Sequence, residues 1–244
     1  MQTLPDMSRR ARLEATSEPL ADRSLPWVLV VPFVPVVAVV VTIAAGYTLA
    51  MGDDPGFPPQ FANLPLGIAG VAVVGFLYWR WDRATWRASA VFRRPSRNEI
   101  GASLLATVVG IAFLIAFNRL ARTLGVAPHD PGTAATTLGL VSLAVGSLLV
   151  APVVEEILFR GLLLGHLISR GYGILVAAAL SILLFGLMHV FVAGLSSVIA
   201  TAVLGTLLTA LRLWYDNLVG AWLMHLLVNC WAVLVALAVL PTAW

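Results

Sequence analysis

The sequence predicts an all-helical bundle that crosses a lipid bilayer about seven times, and three observations carry that reading. Of the 244 residues, 60% are apolar and 11% are charged, less than half the charge with which soluble domains of this size cover their surfaces. The mean hydropathy is +0.94, and the apolar residues fall in solid blocks, whereas strands of a membrane barrel would show segments of about ten residues alternating in and out. Most of the blocks approach or exceed the length a helix needs, about 20 residues rising about 1.5 Å each, to span about 30 Å of hydrocarbon.

Taken in order, residues 1–26 are polar and hold Arg9, Arg10, Arg12 and Arg23 beside four acids, which predicts a mobile cytoplasmic tail. The first apolar run, Trp27 to Met51, is about twice the core of a secretory signal and is expected to be retained as a span; Pro32 and Pro35 should kink it. Runs two and three are Leu64 to Trp79 and Ile100 to Phe117, and with the basic segment between them they make an N-terminal membrane unit, residues 27–134. Four further runs, Leu138 to Ile168, Ile174 to Ala193, Leu195 to Leu211 and Leu218 to Leu240, make a core unit over 135–240. The run from Leu138 has 31 residues, about 46 Å of helix. Pro152, which lacks an amide hydrogen and whose ring clashes with the preceding turn, should break it near Ala151, and two half-helices would raise the count to eight crossings.

The orientation follows from 15 arginines and no lysines. With the N-terminus inside, the inner segments hold twelve of them, the outer segments hold Arg119 and Arg122, and Arg160 lies within a span, a positive-inside bias. The chain is therefore expected in the plasma membrane if prokaryotic, as a multi-pass protein among lipids. The charge lies in short segments between apolar runs and forms no basic face interleaved with aromatics, which excludes a nucleic-acid partner. One cysteine, Cys230, excludes a disulfide scaffold and a cysteine-rich zinc site. Oligomeric state leaves no sequence signal.

Within the span interiors the ionisable acids and bases other than histidine are Glu155, Glu156 and Arg160. Burying such a group at the bilayer centre costs about 2.5 to 3.5 kcal/mol. Three within six residues need a compensating reason. Glu156 and Arg160, four apart, face each other on a helix and predict a supporting ion pair. Glu155 points about 100° away, toward Leu158 and Phe159 on the next turn, and needs a partner from another helix. His189, at the end of the fifth run, and His225 with Asn229, four apart on the seventh, are the polar candidates. Converging, they have the composition of a hydrolytic site, in which imidazole and amide N–H groups stabilise an oxyanion and a carboxylate takes a proton from water. Gly161 and Gly165 form a GxxxG suited to close packing. His166 lies about 16 Å along the axis from Glu155 and His129 in an outer loop, so neither is a co-ligand; no His-Glu-x-x-His zinc motif occurs.

Glu155-Glu156-x-x-x-Arg160, Phe185-x-x-x-His189 and His225-x-x-x-Asn229, in that order on successive hydrophobic helices, resemble the three motifs of the CPBP intramembrane proteases, which comprise the type II CAAX prenyl endopeptidases and the bacteriocin-processing or self-immunity (Abi) proteins. Ala151-Pro152-Val153-Val154, Phe159-Arg160-Gly161 and Leu184-Phe185-Gly186-Leu187 are similar to that family's flanking residues, and the resemblance covers roughly 135–235. It implies an intramembrane endopeptidase in which Glu155 is the general base, His189 holds the same water, His225 and Asn229 donate to the oxyanion, and Glu156 and Arg160 brace the site; the partner implied is a peptide or a lipidated-protein substrate. His189, His225 and Glu155 are also a chemically reasonable zinc set with one open position, so zinc and metal-free activation both remain open, as do a transporter or proton relay and a non-catalytic membrane immunity or binding protein.

Overall fold

The computed structural model describes residues 8–51, 63–125, 137–237 and 239–240, and among them there is no strand. The described residues of the seven apolar runs are helical apart from turns at 31–33, at 189 and at the two ends of the last run. In chain order the helices are α1 (Arg9–Ser17), α2 (Leu25–Val30), α3 (Val34–Met51), α4 (Asn63–Arg80), α5 (Arg83–Ser89) and α6 (Arg97–Thr123). The long helix α7 follows, built from Thr137–Ser142, Leu143–Val150, Ala151–Glu155, Glu156–Leu163 and Leu164–Ser169 without interruption, and then α8 (Ile174–Met188), α9 (Val190–Tyr215) and α10 (Val219–Ala236). Among the described residues five helices are long and apolar enough to cross a bilayer: 63–80, 97–123, 139–169, 194–215 and 219–236; the apolar helices Val34–Ile43 and Ile174–Met188 are shorter. At about 1.5 Å per residue, α8 reaches roughly 22 Å and stops short of the hydrocarbon thickness.

Pro152 does not break α7, contrary to expectation. Leu143–Val150 and Glu156–Leu163 are wound as π-helix, and at the first of these the Ala151 amide donates to Gly146 O, five residues back. A turn widened in this way keeps the proline ring clear of the carbonyl four residues before it, so the helix continues through a residue that would disrupt a regular α turn. Without a break there is no turn to support an eighth crossing.

From Ser8 onward the N-terminal segment is docked on the bundle. Helix α1, capped by Ser8 Oγ accepting from the Ala11 amide, buries Leu13 and, in the following 3₁₀ turn, Leu20. Arg9 lies 3.8 Å over the ring of Trp214, and His166 donates Nδ1–H to Leu20 O at 2.8 Å. The glycine pair of α7 makes this docking possible: a Cβ on Gly161 would overlap the Ser89 carbonyl of α5, and one on Gly165 would come within 2.9 Å of Leu20 Cδ1. The GxxxG therefore receives the polar-side helices, where a second spanning helix was the usual alternative.

A polar clamp fixes the turn between α9 and α10. Asp216 takes the left-handed conformation (φ 50) and accepts from Arg212 at 2.7 Å, Arg93 at 3.0 Å and Thr16 at 2.7 Å. Asn217 exchanges bonds with the Arg93 backbone, accepting at 2.9 Å and donating at 3.1 Å. Glu99, buried at the start of α6, accepts from Asn217 Nδ2 at 3.1 Å and from the Gly220 amide at 2.8 Å, placing a carboxylate on an amide in the first turn of α10. The start of α10 is thus held rigidly, and His225 lies less than two turns beyond it.

Candidate active site

The site grows from α7 outward. Its π-helical register at Glu156–Leu163 buries every side chain of that stretch, and Arg160 is entirely enclosed. Its guanidinium donates from Nη1 to Glu156 Oε1 at 3.2 Å and from Nη2 to Gly205 O of α9 at 3.4 Å, while its carbon centre lies 3.9 Å over the ring of Phe185. Gly205 leaves the room for this approach, since a Cβ there would stand 3.1 Å from both Arg160 and Phe185.

The expected Glu156–Arg160 pair is present, but it is not self-contained. Glu156 Oε1 also accepts Nδ1–H of His225 at 2.9 Å. A carboxylate can only accept, so this bond fixes the ring's orientation and puts a proton on Nδ1. The opposite nitrogen, Nε2, faces Glu155 Oε2 at 3.8 Å, which is beyond hydrogen-bond length and within electrostatic reach. Glu155 is the more accessible of the two acids, with 18% of its side chain exposed against 0% for Glu156, and its Oε2 has no hydrogen-bond partner among the described residues.

His189 occupies the corner between α8 and α9, at φ −85 and ψ 0, the sparsely allowed bridge region. Ser197 Oγ donates to its carbonyl and secures the corner. Its Nδ1–H donates to Phe185 O at 2.8 Å, which leaves Nε2 carrying the lone pair in the neutral ring. The imidazole lies within electrostatic reach of Glu155, His225 and Arg160. Phe185 is the hub of the arrangement: its ring stands edge-on to His189 at 4.8 Å and to His225 at 6.1 Å, with Arg160 on its face.

Asn229 sits one turn beyond His225 on the same face of α10. Its Nδ2 donates to Ser147 O of α7 at 2.8 Å, so one amide hydrogen ties α10 to α7 and the second is left over. Glu155, His189 and His225 are thus brought together, Glu156 and Arg160 lie directly beneath them, and Asn229 borders the group from a helix that it also anchors. His166 is engaged elsewhere by Leu20, and His129 lies outside the described residues. Among the described residues no group of three or more His, Cys, Asp or Glu side chains is placed to hold one metal ion. In this arrangement His189, His225 and Glu155 do not share one ion position.

Sequence reasoning missed Phe185 as a contact hub, Ser197 at the corner, Gly205 under the guanidinium and the Ser147 carbonyl. Phe185 carried a usable signal, since a residue four before His189 on one helix must touch it. No curated protein and no solved structure matches the chain. Residues 137–231 match the family model described as type II CAAX prenyl endopeptidase Rce1-like, in agreement with the CPBP resemblance of the motifs, and Glu155, Glu156, Arg160, His189, His225 and Asn229 all lie inside the matched segment.

Proposed function

We propose that the protein is an intramembrane endopeptidase that hydrolyses a peptide bond in a prenylated or otherwise lipid-anchored substrate, with the N-terminus on the cytoplasmic side. One observation supports this above the others: two adjacent glutamates divide their work on one imidazole, Glu156 fixing Nδ1 and Glu155 standing free opposite Nε2. A purely structural ion pair with Arg160 needs only Glu156. Glu155, with an unoccupied oxygen, is the group available to take a proton from water.

In this reading a water enters beside Glu155 and also hydrogen-bonds the lone pair on His189 Nε2. Glu155 removes one proton, the oxygen forms a bond to the scissile carbonyl carbon, and the carbonyl electron pair moves onto its oxygen. The second amide hydrogen of Asn229 donates to that oxyanion, and so does Nε2–H when the His225 ring carries both protons between its two carboxylates. Collapse of the intermediate breaks the C–N bond, and the proton held by Glu155 passes to the departing amine. The low-dielectric surroundings make each donor count for more than it would in water.

Glu155→Gln keeps the size and removes the basicity. It is expected to lower the cleavage rate of a quenched peptide bearing a farnesylated C-terminal Cys-aliphatic-aliphatic-X sequence by about 10²- to 10⁴-fold, measured in nanodiscs with mass spectrometry of the products. Full-rate cleavage by this variant would remove Glu155 as the base.

A further inference from the structure

We infer that Pro152 is a positioning residue: by leaving the Ser147 carbonyl without a main-chain donor, it reserves that oxygen for Asn229 and so orients the carboxamide at the site. The inference rests on the role proposed above for Asn229. In the wide register of this stretch the Ala151 amide donates to Gly146 O, five residues back. The next bond of the same series would run from residue 152 to Ser147 O. Proline has no N–H, so that bond cannot form. A carbonyl inside hydrocarbon needs another donor, because leaving it bare costs several kcal/mol.

The donor comes from a different helix. Asn229 Nδ2 lies 2.8 Å from Ser147 O. Since the acceptor is a carbonyl, the amide must present its nitrogen there, and this settles which way the carboxamide is turned. The nitrogen's second hydrogen is thereby directed away from Ser147 and remains free to donate. Position 152 lies three residues before Glu155, so one helical turn holds both the base and the feature that orients a group on α10. A missing hydrogen in the backbone of α7 becomes a fixed side chain in α10.

Pro152→Ala restores the N–H and lets the main chain compete for Ser147 O. The expected result, with the farnesylated peptide and the full chain in nanodiscs, is a fall in kcat of about tenfold with KM little changed, the signature of lost orientation. The decisive readout is a double-mutant cycle with Asn229→Ala: a residue that acts through Asn229 adds no further loss once Asn229 is gone, whereas a residue that merely shapes the helix gives losses that multiply. Multiplying losses, or a Pro152→Ala protein with wild-type kcat, would overturn the inference. If Asn229→Ala alone is fully active, the proposed role of Asn229 fails, and this inference with it, while Glu155→Gln still reports on the reaction separately. Pro152→Ser restores the same N–H with a different side chain and carries the cycle if the alanine variant fails to fold.

Discussion

Glu156 accepts the Nδ1–H of His225 and a guanidinium N–H of Arg160 on the same oxygen, Oε1, at 2.9 Å and 3.2 Å. One atom of one helix thus balances a cation on its own helix and orients an imidazole on another. The second oxygen, Oε2, has no hydrogen-bond partner among the described residues. Shared acceptance of this kind couples stability to geometry, because anything that loosens Arg160 also loosens His225.

Glu156→Gln is therefore expected to damage the protein twice. It leaves a fully buried guanidinium without its counter-charge, a loss of about 3 to 5 kcal/mol, and it weakens the hold on His225. The melting temperature in detergent should fall, and cleavage should drop by at least about 100-fold. Combining it with Arg160→Met removes the orphaned charge as well, so stability should recover while activity does not. Recovery of both together would show that Glu156 serves only the ion pair.

Metal removal separates the two chemistries that two histidines and a glutamate permit. His225 Nδ1 is committed to Glu156 and His189 Nδ1 to Phe185 O, an arrangement that leaves both Nε2 atoms open and serves either chemistry, but no group of three suitable side chains shares an ion position among the described residues. Cleavage of the farnesylated peptide is expected to persist after exhaustive dialysis against a zinc chelator. Loss of activity that returns on adding stoichiometric zinc would replace the metal-free scheme.

The bundle was legible in the sequence because lipid imposes a single strong rule: a solid apolar block must satisfy its backbone internally, and helices do so. The candidate residues were legible for the complementary reason, since Glu155, Glu156 and Arg160 are too expensive in hydrocarbon to be incidental. What escaped depended on partners, which composition does not encode. Nothing local to residues 1–26 says that Leu13 and Leu20 find a seat on α7, or that Glu99 reaches an amide of α10. The division between Glu155 and Glu156 was half visible: their angular separation follows from helix geometry, but His225 bridging toward both requires knowing where α10 lies. Pro152 was noticed and misjudged, because the π register that absorbs it has no marker in residue type.

Close approach at Gly161 gives a stability prediction free of any assumption about catalysis. A Cβ at this position would overlap the Ser89 carbonyl, a backbone atom that cannot rotate aside. Gly161→Ala is expected to cost about 1 to 3 kcal/mol through overpacking, seen as a lower melting temperature. Gly101→Ala in α6, where nothing lies within 4 Å of the added carbon, should be neutral or slightly stabilising through helix propensity. Equal effects at the two sites would mean that α5 does not rest on α7 as described.

Acid should loosen the segment before α5, and the sign follows from Asp82. Its carboxylate accepts from the Ala84 and Thr85 amides at 2.9 Å each and from Thr85 Oγ1 at 2.9 Å, and these bonds, those from Thr85 foremost, hold its pKa below the usual carboxylate value, with Arg23 adding to the effect. A folded-state pKa that is depressed means that the cap contributes fully above the unfolded value of about 3.9 and is lost as the pH falls through the lower, folded one. Hydrogen exchange at the Ala84 and Thr85 amides, corrected for intrinsic rate, should be equally slow at pH 7 and pH 5 and accelerate below about pH 4. Asp82→Asn keeps a good helix cap that does not titrate, so its protection should be flat across this range, whereas Asp82→Ala should exchange fast at every pH. An acid step that survives in Asp82→Asn would place the titrating group elsewhere.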